Sequence, residues 1–337
     1  MKDTVQTNGY GRSVVRFLRE WGMILIIVII TAIATCIRPV FLSGRNILNI
    51  LRSYSTIGIA SIGMAYTVIG GGMDLSVGST LSLTSVITMY IINATANVAE
   101  RVASPTASVA VLFIGIAVGA LVGLINGGII AAVNGRMAES FIITFAMQIV
   151  IGAVAQAVVK GQFQAAAYKT GLFKQFGIGV VPVLFFLAVA VIMELILIKT
   201  QFGRNLYFLG ANMKAAKMAG IRTGRVRVLS HVLCGMCAGL AGVLVVARVN
   251  SASVTQGTGY ELDTMACVAI GGVSLAGGDG SILKTVLGVL VLGFLLTALN
   301  ILSVQSNAQL IVRGVVIIAA VILDTANKKA KLKEVRK

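Results

Sequence analysis

Two stretches of this chain, Trp21 to Ile37 and Ser53 to Met73, run without a single charged residue. Roughly 20 consecutive apolar residues are what an α-helix needs to cross the hydrocarbon core of a bilayer, and few soluble folds can bury such a run on every side. The pattern repeats. Spans are expected at about 21–37, 54–70, 76–93, 108–133, 141–159, 180–198, 228–247, 263–276, 282–301 and 309–324. The eighth is short and glycine-rich, and it reads as broken or re-entrant. The expected fold is therefore all-α, a polytopic membrane helix bundle of about ten transmembrane helices, with residues 1–337 forming one transmembrane domain. Composition agrees: 57% of the 337 residues are hydrophobic and 12% are charged, half the share of a typical soluble domain.

The net charge of +17 would suggest nucleic acid if it covered a soluble face. The basic residues instead occupy the tails and the short segments between apolar runs, where they contact anionic lipid and set orientation, so no nucleic acid is expected. The segment 199–227 alone carries Lys199, Arg204, Lys214, Lys217, Arg222, Arg225 and Arg227, with no acidic residue. Placing both termini inside puts 19 basic residues on the cytoplasmic side and 8 opposite, with Arg313 inside the last span. That bias predicts cytoplasmic tails at 1–20 and 325–337 and a cytoplasmic loop at 199–227. The polar first twenty residues lead into the first span without a small-residue cleavage site, which reads as an uncleaved first helix.

Glycine concentrates within the spans. Gly115, Gly119, Gly123 and Gly127 recur every four residues in the fourth span, and Gly235, Gly239 and Gly242 mark a similar seam in the seventh. Such spacing lines one helix face with hydrogen and lets a neighbour approach closely. Cys36, Cys234, Cys237 and Cys267 lie in apolar runs, which argues against a disulfide framework. The pair Cys234 and Cys237 near His231, the sole histidine, lacks the further ligands of a metal site, so none is assigned.

Three segments hold candidate functional residues. The first is Ile69-Gly-Gly-Gly-Met-Asp-Leu-Ser-Val-Gly-Ser79. Its glycines, including Gly72, predict a helix break. Asp74, with Ser76 and Ser79, reads as an N-cap at the cytoplasmic surface and as a translocation or gating candidate, two roles that are compatible. The second, Gly271-Gly-Val-Ser-Leu-Ala-Gly-Gly-Asp-Gly-Ser281, shares Gly-Gly-x-x-Leu-x-x-Gly with the first when Gly271 and Gly272 are aligned on Gly71 and Gly72, a hint of duplication. It is not a phosphate loop, because Leu283 stands where glycine must precede Lys284. No ATPase motif exists elsewhere, so the chain is not expected to be an enzyme or to hold a cofactor of its own. The third is the loop around Ala211, Asn212, Ala215, Ala216, Gly220 and Ile221, where alanines predict a short helix capped by Gly220 and suited to docking in a groove of a soluble partner. Tyr260, Glu261 and Asp263 fall near an external mouth, where both carboxylates should be solvated, and Glu194 is expected to pair with a basic residue of the adjacent loop.

Four stretches carry a family resemblance: Asn46-Ile-Leu-Asn-Ile-Leu51, Gly71-Gly-Met-Asp-Leu-Ser-Val-Gly78, Phe202-Gly-Arg through Ala215-Ala-Lys-Met-Ala-Gly-Ile221, and Tyr260-Glu-Leu-Asp-Thr-Met-Ala followed by Ala269-Ile-Gly-Gly-Val-Ser-Leu-Ala-Gly-Gly278. Over about residues 20–325 the chain resembles the permease subunits of bacterial monosaccharide ABC importers, ribose-type nearest. The family often has Gly-Gly-Asn where this chain has Gly210-Ala-Asn212. The resemblance implies a second permease copy or paralogue and cytoplasmic ATP-binding cassettes that hydrolyse the ATP. It also implies an external substrate-binding protein received by outer loops including 248–262, with Tyr260, Glu261 and Asp263 as docking candidates. The location implied is the bacterial inner membrane, and the helix near Ala211–Gly220 becomes the coupling element. The residues alone leave two alternatives open: a proton-coupled secondary transporter using Asp74, and a permease for an autoinducer, polyol or nucleoside.

Overall fold

The computed structural model describes residues 9–97 and 99–335, with side chains over 22–97 and 99–322. Of the predicted cytoplasmic tails, residues 1–8 and 336–337 lie outside this description, as do the side chains of 9–20 and 325–335. Thirteen α-helices dominate the described residues. In order they are α1 (Gly9–Ile37), α2 (Gly44–Ile69), α3 (Val77–Thr95), α4 (Pro105–Ala132), α5 (Met137–Val158), α6 (Leu172–Gln175), α7 (Val181–Lys199), α8 (Gln201–Ala211), α9 (Met213–Met218), α10 (Thr223–Val249), α11 (Tyr260–Ile270), α12 (Ile282–Ile301) and α13 (Ser306–Val335). The helices start where the sequence supplies a capping oxygen. Ser43, Ser104, Thr200, Asn212 and Ser281 each accept from a backbone N–H of the helix they precede, and Pro105 occupies the first turn of α4.

Helices α2, α3 and α10 form the centre and are buried along most of their length. The outer helices are apolar on the outside as well: Phe113, Ile142, Ile149, Leu184, Val191 and Ile311 are all exposed. In water such a surface would cost roughly 25 cal/mol per Å²; in lipid it costs nothing. Among the described residues, six helices (α3, α4, α5, α7, α10 and α12) are long and apolar enough to cross a membrane by length and composition, and Gly22–Ile37 and Ser306–Ile322 are shorter apolar stretches. The fold is thus that of a polytopic helical membrane protein.

Each expected span overlaps a helix, but the eighth ends early. Helix α11 stops at Ile270, and its 11 residues reach about 16 Å at 1.5 Å per residue, half the bilayer core. The loop 199–227 contains α8 as well as the expected short helix α9.

The two glycine seams face each other. A Cβ on Gly119 would overlap the carbonyl oxygen of Gly235, one on Gly239 that of Gly115, and one on Gly123 that of His231. Helices α4 and α10 therefore meet backbone to backbone. Gly242 departs from the expected seam: it faces Thr84 and the Leu81 carbonyl of α3 instead.

At the end where α2 and α10 respectively begin and finish, two-residue strands tie the loops together. β1 (Val102–Ala103) runs parallel to β3 (Thr170–Gly171), and β2 (Gln164–Ala165) antiparallel to β4 (Ser251–Ala252). The opposite end gathers the start of α5, the α7–α10 corner and the start of α12, and with them Arg136, Lys214, Arg227 and Lys284.

Candidate functional site

The two glycine-rich breaks are built alike. Helix α2 closes with Gly71 N–H on Val68 O at 2.9 Å and Gly72 N–H on Thr67 O at 2.8 Å, and Gly71 has φ +77°. Helix α11 closes with Gly272 N–H on Ala269 O at 2.9 Å and Val273 N–H on Val268 O at 3.2 Å, and Gly272 has φ +74°. Both are Schellman endings, in which a residue with positive φ satisfies the last carbonyls. The equivalence is Gly71 with Gly272, one residue away from the register that the shared glycines suggest.

The first break is then pinned by polar side chains of neighbouring helices. Ser140 of α5 accepts from Met73 N–H at 3.1 Å and donates to Met73 O at 2.7 Å. Thr144, one turn on, accepts from Leu75 N–H at 3.0 Å. Asp74 accepts from the Ser76 N–H at 3.0 Å and from the Ser76 hydroxyl at 2.6 Å, and Asn126 of α4 donates to Ser76 Oγ at 2.7 Å. Ser79 donates to Ser76 O at 2.9 Å. His231 Nδ1 lies 3.0 Å from Arg227 O, so that nitrogen carries the proton, and Nε2 lies 3.5 Å from Ser140 Oγ. Asp74 is 2% exposed, which excludes the surface N-cap. Its carboxylate holds the first residues after the break in place. Asn126, Ser140, Thr144 and His231 were not singled out for this from the sequence. Their signal was there: each is a polar group inside an apolar run, which needs a partner.

The second break reaches the first. Gly278 N–H donates to Ile69 O at 2.8 Å, and a Cβ on Gly277 would stand 2.8 Å from Gly71 Cα. The end of α8 joins them: a Cβ on Gly278 would stand 2.7 Å from Ala211 Cα, and one on Gly210 would overlap Ile69 O. Tyr207 of α8 donates to Gly280 O at 2.7 Å. Burial, with Glu194 and Asp279 adding to it, raises the Tyr207 phenol above its ordinary value, so it stays protonated and able to donate. Glu194 does not pair with a basic residue of the loop as expected; Oε2 accepts from Ile282 N–H at 2.8 Å, where a carboxylate meets the positive end of α12. Gly271, in turn, lets α11 lie against the Lys284 carbonyl of α12. A cleft of about 360 Å³ opens at this junction, lined by Gly71, Gly210, Arg136, Lys214 and Arg227 among others.

Helix α9 hangs directly from the junction. Asn212 accepts from Lys214 N–H and Ala215 N–H, and Gly220 at φ +77° ends the helix with Ile221 N–H on Ala216 O at 3.0 Å. Ala216 is packed inward and Ile221 half-buried, whereas Ala211, Asn212, Ala215, Met218 and Gly220 are exposed. The exposed face is not uniformly small: Lys214, Lys217 and Met218, the last 89% exposed, stand out from it beside Ala215 and Ala219.

The external candidates divide. Tyr260 and Glu261 are half-buried. Asp263 is not solvated: it is buried and ion-paired with Arg313 of α13 at 3.0 Å, because two charges in apolar segments are stable only when they meet. Glu261 Oε1 lies 3.3 Å from Gly259 N and 3.5 Å from Gln148 Nε2, so it also faces inward.

Residues 46–321 match the family described as branched-chain amino acid transport system / permease component. The chain belongs to this permease family. Its relatives span nearly its whole length. Ribose import permease protein RbsC of Escherichia coli (strain K12) is 37% identical over 320 residues, covering 93% of this chain and 95% of the relative. The protein of the same name from Bacillus subtilis (strain 168) is 38% identical over 312 residues, 91% of this chain and 93% of the relative. L-arabinose transport system permease protein AraH of Escherichia coli (strain K12) is 33% identical over 341 residues, 97% and 98% respectively. No solved structure matches the chain. Within the permease family match fall all three converging segments: both breaks and the α8–α9 corner.

Proposed function

We propose that this permease is the membrane subunit of an ATP-driven importer that carries a monosaccharide, ribose-like in kind, delivered by an external binding protein. Relatives named for ribose and L-arabinose over more than nine-tenths of the chain support the substrate class. The observation that carries the mechanism is the junction of Gly278, Ile69 and Ala211, which ties the exposed helix α9 to both broken segments of the bundle. In this reading α9 and its flanks (Ala211, Asn212, Ala215, Ala216, Gly220, Ile221) dock into a cytoplasmic ATP-binding cassette. Closure of two cassettes on ATP pulls α8, and α8 moves the breaks at Gly71–Asp74 and Gly271–Gly280. Asp74, Ser76, Ser79, Gly72, Gly271 and Gly272 act as gating elements by holding those breaks in one of two arrangements, and no cofactor is held by the chain. The basic end faces the cytoplasm with both termini, the chain lies in the inner membrane as about ten crossings with α11 and its loop re-entrant, and a second permease copy or paralogue completes the pathway.

Affinity purification of the tagged chain from native membranes tests this. An ATP-binding cassette protein co-purifies with the wild type, and Ala215→Glu, an exposed change that leaves the bundle folded, releases it. Purification of the chain alone defeats the proposal. The second reading, proton-coupled transport, has the burial of Asp74 in its favour. It requires uptake to vanish in Asp74→Asn. The importer reading predicts that Asp74→Asn, which keeps an acceptor for the Ser76 N–H, retains most ATP-driven uptake.

A further inference from the structure

At the end opposite α9 a second cleft, of about 330 Å³, opens between the start of α2 and the ends of α10 and α12, beside the first turn of α11. Its size is at the lower end of the range for small-molecule sites. The lining combines two phenol rings, Tyr54 and Tyr260, with the Arg248 guanidinium, the Asn49 carboxamide and the hydroxyls of Ser53 and Thr297. Three of these features set the cleft apart from a packing fault.

First, the Arg248 side chain lines the cleft, and among the described residues no carboxylate forms an ion pair with it. A guanidinium without a carboxylate partner has donors to offer an acceptor in the cleft. Second, the tyrosines are held. Tyr54 packs over Gly293, where a Cβ would stand 2.9 Å from its ring, and Tyr260 opens α11 directly after the loop 250–259. Ring faces fixed in this way offer an apolar platform at low entropic cost. Third, the nearby acidic group is already used, since Asp263 is paired with Arg313. The cleft therefore presents one guanidinium, neutral donors and acceptors, and aromatic faces. That is the chemistry of a neutral polyhydroxylated ring, with C–H faces against the phenols and hydroxyls on Arg248, Asn49 and Ser53.

We infer that this cleft is a low-affinity monosaccharide site within the permease itself, occupied as the sugar leaves the binding protein and before the breaks open. The inference rests on the importer reading for its place in the cycle, while the site itself is testable without it. Selection would then not lie wholly in the binding protein: Tyr54, Arg248 and Asn49 would set which sugars pass.

Saturation-transfer NMR on the purified full chain in lipid nanodiscs, with D-ribose, L-arabinose and D-allose as probes, reads the site directly. At least one sugar gives a signal with the wild type; Arg248→Gln weakens it by about tenfold, the loss expected for one hydrogen bond to a charged group, and Asn49→Ala by about fivefold, the loss for a neutral one. Gly128→Ala, in α4 and outside the lining of the cleft, leaves it unchanged. No signal from any of the three sugars with folded wild type, or equal signals in the variants, overturns the site. In the assembled transporter the same two variants keep binding-protein-stimulated ATP hydrolysis and lose sugar uptake; loss of both together overturns the site in favour of a structural role. If no cassette co-purifies yet the signal behaves as stated, the importer reading fails and the site stands.

Discussion

Glycine is used in two opposed ways in this molecule. In the α4–α10 seam, Gly115, Gly119, Gly235 and Gly239 are ordinary helical residues that lack a side chain so that two backbones can touch. In the breaks, Gly71, Gly272, Gly277 and Gly278 have φ between +74° and +84°, and two helices end there. The seam makes a rigid pair. The breaks make a junction of loops held by a few hydrogen bonds to Ser140, Thr144, Ile69 and Tyr207. Packing of the first kind resists motion because every shift costs contact along the whole helix, whereas the second kind has few bonds to exchange. On the proposed mechanism, the junction that moves thus lies next to the pair packed not to.

That contrast can be broken most forcefully at the seam. Gly119→Leu drives a side chain into the Gly235 carbonyl, so the expected cost is about 3 kcal/mol or more, seen as loss of folded protein in a detergent thermal-unfolding assay. Gly278→Ala should instead leave a folded chain. Left-handed strain and the contact with Ala211 cost about 2 kcal/mol at one loop, and substrate uptake falls at least tenfold while the helix content by circular dichroism is kept. Were Gly278→Ala to unfold the bundle, the break would be structural and the contrast lost. Ser140→Ala removes both bonds to Met73 and should cost about 1–2 kcal/mol, with faster amide exchange confined to residues 72–76. Gly128→Ala, where an added Cβ meets nothing within 4 Å, should raise stability by no more than about 1 kcal/mol through helix propensity; a large loss there would show that α4 has a partner on that face.

Much of this was legible in the sequence. Spans followed from uncharged runs, the seam from four-residue glycine spacing, and the end of α9 from Gly220. The glycines also marked where α2 stops, whereas the eighth span was expected to reach residue 276 and α11 stops at Ile270. What the sequence did not yield was who meets whom. Asp263 read as solvated because it follows a polar loop, although Arg313, stranded in the last span, was the clue to its partner. Glu194 read as a partner for a neighbouring base because proximity in sequence was the only guide, and the Ile282 N–H lies 88 residues on. The register of the two breaks was off by one residue, since a match made mostly of glycines fixes no register. Ser140, Thr144 and Asn126 are short polar residues that apolar helices tolerate, so nothing local marked them as the pins of a loop 50 or more residues earlier in the chain.

The most direct test of the central claim is sugar uptake into sealed proteoliposomes holding the permease with its co-purified cassette, with binding protein on the far side of the membrane from ATP. Uptake that requires ATP and survives a protonophore is the predicted result. Uptake that needs no ATP and is abolished when the proton gradient collapses would contradict the account and return Asp74 to the centre of the mechanism.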